Sequence, residues 1–273
     1  YEANGAMANF YPNLYDPAKA AVFVAGTNGG QIASNSPGLG PSPLSALQGY
    51  QLYLNGVGID GKNGVPKGLA KANWWDFGPR LGFAYDLRGD GKTIVRGGFG
   101  IMYERVQGND MYNGATNPPY GYSLNTNNVL LSNPHTTWQG GAITVPIVPA
   151  DVTGINQYYP TPRVSQYSAR VQQQVGRKVV LSASYVGSVA RHLSYWQELN
   201  RPDPSQLASL TSTTNHVGTD GVSHFNELVP YTGFHQLRQA FNGANSHYNS
   251  LQMELRGQIT RDLQLQAAYT LAR

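Results

Sequence analysis

The sequence predicts an all-β fold, an antiparallel meander of hairpins, and three observations carry that prediction. Apolar and polar residues alternate strictly over three pairs of blocks. Each pair is joined by a tight turn, and long segments rich in Gly, Asn, Pro, Ser and Tyr separate the pairs. Period-two alternation is the signature of strands whose two faces meet different surroundings.

In the first pair, residues 80–87 set Leu81, Phe83, Tyr85 and Leu87 against Arg80, Gly82, Ala84 and Asp86. The turn Arg88–Lys92 follows, with an Asp-Gly step suited to a hairpin. Residues 93–105 then set Val95, Phe99, Ile101 and Tyr103 against Arg96, Gly98, Gly100 and Glu104. The second pair runs over 164–175 and 179–188, joined by Gly176, Arg177 and Lys178. Tyr167, Ala169, Val171 and Val175 oppose Gln166, Arg170, Gln172 and Gln174, and then Val179, Leu181, Ala183 and Tyr185 oppose Ser182 and Ser184. The third pair covers 247–256 and 263–271 around a turn at Thr260–Asp262. Leu251, Met253 and Leu255 alternate with Ser250, Gln252, Glu254 and Arg256, and Leu263, Leu265, Ala267, Tyr269 and Leu271 alternate with Gln264, Gln266 and Thr270.

The chain is thus expected to be one β segment over 1–273, with long loops at 1–76, 106–163 and 189–246 and hairpins at 77–105, 164–188 and 247–273. Connections in compact soluble domains have a median of about 4–6 residues, which makes such loops unusual there. Short turns at one end and long loops at the other are the pattern of outer-membrane barrels. The polar face, built of Gln, Ser, Arg, Glu and Gly, suits a water-filled lumen. The apolar face carries Tyr85, Tyr103 and Tyr167 near strand ends, where an interfacial aromatic girdle is expected.

The expected lipid-facing or packing set is therefore Leu81, Phe83, Tyr85, Val95, Phe99, Ile101, Val171, Leu181, Leu251, Met253, Leu255 and Leu265. The expected lumen-facing set is Arg80, Asp86, Arg96, Glu104, Arg170, Gln252, Glu254 and Arg256, with Asp86 and Glu104 beside Arg80 and Arg96 forming an ion-pair ladder. Six spanning strands fall short of the eight or more of a closed barrel, and open edges cannot be hydrated inside hydrocarbon. Further strands in the loops, or a larger wall of which this is a segment, is the expectation.

Composition narrows the classes. Charged residues are 12% of the 273, about half the usual share. Net charge is +4, too dilute for a nucleic-acid groove. There is no Cys, hence no disulfide and no thiolate metal site. No apolar run approaches the roughly 20 residues of a spanning helix. The sequence carries no signal peptide and opens at Tyr1, as expected of a processed product or part of something longer.

The stretch 64–105, GVPKGLAKANWWDFGPRLGFAYDLRGDGKTIVRGGFGIMYER, resembles the barrel of TonB-dependent outer-membrane receptors. The resemblance is to the branch with an N-terminal carboxypeptidase-regulatory-like domain, at Phe77, Pro79–Asp86, Gly89–Thr93, Arg96–Gly100 and, approximately, Met102–Arg105. Residues 8–20, 181–193 and 246–273 fit the same family. It implies a 22-stranded barrel, a separate plug, and uptake of a bulky nutrient driven by TonB. The 273 residues contain no plug, TonB box or carboxypeptidase-like domain, and they end at Leu271-Ala272-Arg273 rather than at an aromatic residue. The resemblance thus implies the barrel portion only. It also implies an outer-membrane bilayer as partner, and the TonB system if a plug exists in the full-length protein.

Other motifs weaken on inspection. Gly56, Gly58 and Gly61 spell G-x-G-x-x-G, but KNGVPKGL follows and cannot open the helix a dinucleotide site needs. Arg88-Gly89-Asp90 sits where a turn demands Asp-Gly. The histidines His135, His192, His216, His224, His235 and His247 lack zinc spacing. His216 and His224 around Asp220 make the nearest approach to a metal group. No G-x-S-x-G elbow is present. No catalytic residue, metal site or cofactor is therefore assigned, and the chain is not expected to be an enzyme. Trp74-Trp75, Tyr120, Tyr122 and Tyr158-Tyr159 suit a girdle or loop packing better than a ligand-stacking platform. Two alternatives carry the same pattern: an extracellular assembly of copies paired through open β edges, and a soluble β-sandwich adhesin.

Overall fold

The computed structural model describes residues 4–43, 49–71, 73–122, 129–130, 132–137, 146–210, 217–219 and 223–273. In chain order the first strands are β1 (Ala8–Phe10), β2 (Leu39–Pro41), β3 (Gln51–Tyr53), β4 (Val57–Ile59), β5 (Arg80–Asp86) and β6 (Thr93–Tyr103). Then come β7 (Val129–Leu130), β8 (Asn133–Thr137), β9 (Ala150–Ile155), β10 (Arg163–Val175), β11 (Val179–Glu198), β12 (Phe234–Gln258) and β13 (Gln264–Ala272). The chain divides into two compact units.

One unit, residues 72–106, 160–195 and 242–273, is the wall. Its sheet runs β13-β12-β11-β10-β6-β5. The three expected hairpins are all present: β5 with β6, β10 with β11, and β12 with β13, each antiparallel. β6 and β10 join the first two. Their turns share one end of the sheet, where the Gln174 amide N–H donates to the Lys92 carbonyl at 2.7 Å and that of Gln258 to Lys178 at 3.0 Å. In the first turn Gly89 and Gly91 take φ of +72° and +71°. Both carboxylate oxygens of Asp86 accept turn amides, from Arg88 at 3.2 Å and Gly91 at 2.6 Å, and Asp90 accepts from Lys92 at 3.0 Å. That backbone bond, foremost, holds the Asp90 carboxyl below its usual range. The Arg-Gly-Asp triplet is thus a turn.

Two boundaries correct the sequence expectation. β6 ends at Tyr103, not Arg105. The Glu104 amide still donates to the Pro162 carbonyl at 2.9 Å, but proline has no N–H to return the bond, so the ladder stops and Glu104 lies outside it. β11 runs ten residues beyond 188, to Glu198. His192, at φ +59°, is a left-handed residue just past the last β10 pairing, and it interrupts the alternation that marks a strand.

The other unit, residues 1–71, 107–159 and 196–241, is made of the expected long loops. They are not structureless. Phe10, Ile32, Tyr53, Val152, Phe234 and Leu237, from distant parts of the chain, bury into one core. Phe10 meets Tyr231 and Phe234 edge-on at 4.9 and 5.2 Å, and Tyr53 meets Phe234 at 5.3 Å. Strands of three residues (β1–β4) are too short to show a period.

Buried amides replace the missing ladders. Asn117 donates to the carbonyls of Ala8 and Thr153, both at 2.8 Å, and accepts from the Thr153 amide at 3.0 Å. Asn200 donates to Phe234 O at 2.8 Å and accepts from Tyr231 N at 3.0 Å. Asn55 ties Asp16 to Lys19. β9 pairs parallel with residues 234–240 of β12, with a register shift between Phe234 and Leu237. This is why β12 begins at Phe234, well before the expected 247: its buried set in this stretch, Phe234, Leu237, Gln239 and Ala240, does not alternate. Burial, with the Asp60 carboxylate adding to it, pushes the Tyr11 hydroxyl up to about 12. That hydroxyl donates to Leu69 O at 2.8 Å. Burial likewise raises Tyr53, which donates to Lys19 O at 2.8 Å.

Candidate functional site

The candidate site is the wall itself, and its register decides what each face is made of. In antiparallel pairing directly opposed residues share a face. Leu81 pairs with Phe99, Phe83 with Gly97 and Tyr85 with Val95. Phe99 pairs with Tyr167, Val95 with Val171 and Ile101 with Ser165. Tyr167 pairs with Gly187, Val171 with Ala183 and Gln173 with Leu181. Leu251 pairs with Leu271, Met253 with Tyr269 and Leu255 with Ala267. Every row joins odd-numbered residues to odd.

The odd face is apolar and uncovered. Leu81, Phe83 and Tyr85 are 73, 61 and 62% exposed, and Phe99, Val171, Leu181, Met253 and Leu265 are exposed too. A soluble sandwich would bury these side chains under a second sheet. The rings lie flat where the opposing residue is glycine. A Cβ on Gly97 would stand 2.4 Å from the Phe83 ring, and one on Gly187 2.3 Å from that of Tyr167. The odd face also contains amides, Gln173 beside the turns and Asn249 further in, and the Asn249 Oδ1 is well supplied: Tyr167 and Tyr185 hydroxyls each donate to it at 2.8 Å, their rings stacked at 6.2 Å. Tyr167 therefore lies mid-strand, level with Phe99, and not at the strand end expected of a girdle residue. Those two bonds lower the cost of keeping the Asn249 oxygen and both phenols in an apolar medium.

The even face is polar and networked. Arg170 donates to Ser182 Oγ at 2.8 Å and pairs with Glu254 at 3.2 Å. Glu254 also pairs with Arg256 and accepts from Gln266 Nε2 at 2.9 Å. The network crosses β10, β11, β12 and β13, bringing together three of the expected lumenal residues. It is not the ladder anticipated at Asp86 and Glu104. Asp86 is engaged by turn amides and Glu104 is beyond the strand, whereas Arg96 opposes Arg170 and Ala84. Arg80 opposes Gly100, and its Cγ would lie 3.5 Å from a Cβ there. Gln252 points its amide at Ser250 Oγ, 3.3 Å away.

Of the aromatic groups, Trp74 and Trp75 are 86 and 79% exposed. The exposed Tyr158 ring carries the Lys71 ammonium 4.4 Å above it. Tyr159 is buried and donates to Asp110 Oδ2 at 3.3 Å, and Tyr122 packs 6.3 Å from Tyr50. These last two are packing residues. Gly56 and Gly61 take φ of +86° and +67° in turns, with β4 between them and no helix following, so the G-x-G-x-x-G spacing serves loop geometry. His216 and Asp220 lie outside the described residues; His224 pairs with Glu227 at 2.6 Å. Sequence reasoning missed the Asn249–Tyr167–Tyr185 triad, since Asn249 breaks the apolar pattern and only the register reveals its partners.

The family model described as "Outer membrane beta barrel domain" matches residues 1–273. No curated protein matches the chain. Among solved structures, the outer membrane transporter YddB from Escherichia coli is 14% identical over 71% of this chain, with a TM-score of 0.41. The siderophore receptor PirA from Pseudomonas aeruginosa is 14% identical over 72%, with a TM-score of 0.37. The chain spans 20% and 28% of the lengths of those two proteins.

Proposed function

We propose, because this chain belongs to the outer membrane beta barrel domain family, that it supplies a stretch of wall to a TonB-dependent-type receptor that takes up a bulky nutrient. Its odd face meets lipid and its even face lines the lumen. The unit built from the long segments is the ligand-facing surface, and the chain is non-catalytic. TonB is a partner only where the full-length protein carries a plug. One observation carries this reading: a single apolar face kept in register across the wall strands, with all three tight turns at one end.

The dimensions support it. From the Thr93–Gln173 row to the Tyr103–Arg163 row is ten residues. Ten residues span about 34 Å along a strand, or about 24 Å of height at a tilt near 45°. The apolar band of outer-membrane barrels is about 25 Å tall.

The absence of cysteine allows a clean test in outer-membrane vesicles. Single Cys residues at Arg96 and Phe99 are exposed to a water-soluble maleimide. Arg96→Cys is expected to label and Phe99→Cys to resist labelling unless the membrane is dissolved. Equal labelling of both defeats the reading. A second reading, association of copies edge to edge, is favoured by β5 and β13, each of which has a strand partner on one side only among the described residues. It requires oligomers that survive detergent; a monomer by mass excludes it.

A further inference from the structure

Across the paired rows of β5, β6, β10 and β11 the odd face holds no carboxylate, and it holds two cations. Those two, Arg163 and Arg191, stand directly opposite one another, with Tyr103 opposite Arg163 on the other side. Opposed residues have Cβ atoms about 5 Å apart, and like charges so placed repel. On the even face Arg96 and Arg170 also stand opposed, but there Glu254 answers the charge at 3.2 Å. Among the described residues no comparable ion pair answers Arg163 or Arg191, and both are exposed.

Their position is equally specific. The next row toward the turns is Ile101, Ser165 and Val189, so the arginines close the apolar band at the end away from the turns. In outer-membrane barrels the short turns are periplasmic, which puts this row at the outer leaflet's headgroup level. Two guanidinium forks and a phenol present donors matched to a phosphate, which supplies the missing negative charge.

We propose that Tyr103, Arg163 and Arg191 form a binding site for the phosphate of an anionic lipid headgroup in the outer leaflet. The proposal rests on the lipid-facing reading of the odd face. The lipid is the source because the site is continuous with the apolar band, where acyl chains lie beside the headgroup they carry.

The test is native mass spectrometry of the detergent-purified full-length protein. It is titrated with a bis-phosphorylated glucosamine glycolipid and with the same glycolipid stripped of phosphate. The wild type is expected to prefer the phosphorylated form by about tenfold, as charge-assisted pairs of this kind allow. Arg163→Gln with Arg191→Gln removes that preference, and Arg163→Lys with Arg191→Lys keeps most of it. A glutamine variant that retains the preference overturns the site, as does complete displacement of the lipid by excess inorganic phosphate, which would mark a site for free phosphate. The labelling of Phe99→Cys separates the failures: labelling from water sinks the lipid-facing reading, whereas protection together with an unchanged glutamine variant sinks the site alone.

Discussion

The two units solve the same problem in opposite ways. In the loop-built unit the large apolar side chains, Phe10, Tyr53, Phe234 and Leu237, are almost wholly buried, and buried asparagines bond the backbone where ladders are missing. In the wall the backbone is paired strand to strand, while Leu81, Phe83 and Met253 are left in the open. The first unit carries its own apolar interior. The second, on the proposed reading, takes its apolar medium from outside, because hydrophobic stabilisation comes from whatever removes the surface from water.

Substitutions separate the two. Phe234→Ala empties the core of the loop-built unit and is expected to cost about 3–5 kcal/mol, read in a thermal or urea unfolding series whether or not a bilayer is present. Phe99→Arg is expected to cost about 2–4 kcal/mol in vesicles, since Phe99 sits near mid-band. Leu181, opposite Gln173 beside the turns, is at the band's margin, and its replacement by Arg is expected to cost only about 0–1 kcal/mol. Equal costs at the two positions would break the depth assignment.

Asn117→Ala leaves two carbonyls and an amide without partners, at an expected cost of about 2–3 kcal/mol. Hydrogen exchange should rise first at β1 and β9. Tyr11→Phe, the mildest in the loop-built unit, removes one hydrogen bond worth about 1 kcal/mol. Its second effect is on pH. The folded state keeps Tyr11 protonated up to about 12, so its contribution is intact below the ordinary phenol value near 10 and drains as pH rises from there toward 12. The variant should lose less stability than wild type over that interval in an alkaline melt.

Legibility followed the same division. The wall's hairpins and faces were readable because one periodicity runs through Leu81, Phe99, Val171 and Leu251 and is enforced by direct pairing. It failed where something local intervened: the missing N–H of Pro162 at Glu104, the left-handed His192, and Asp86, which turn amides claim before any arginine can. The loop-built unit was opaque because its core draws single residues from positions as far apart as 10, 152 and 234. Contacts that distant leave no local pattern to read.

The ring of Phe83 occupies the space that any side chain at position 97 would need. The two positions are therefore one heritable unit. A lineage that enlarges residue 97 must shrink or redirect residue 83 in the same step or soon after, and among descendants of this chain the pair should change jointly or stay fixed, as should Tyr167 with Gly187.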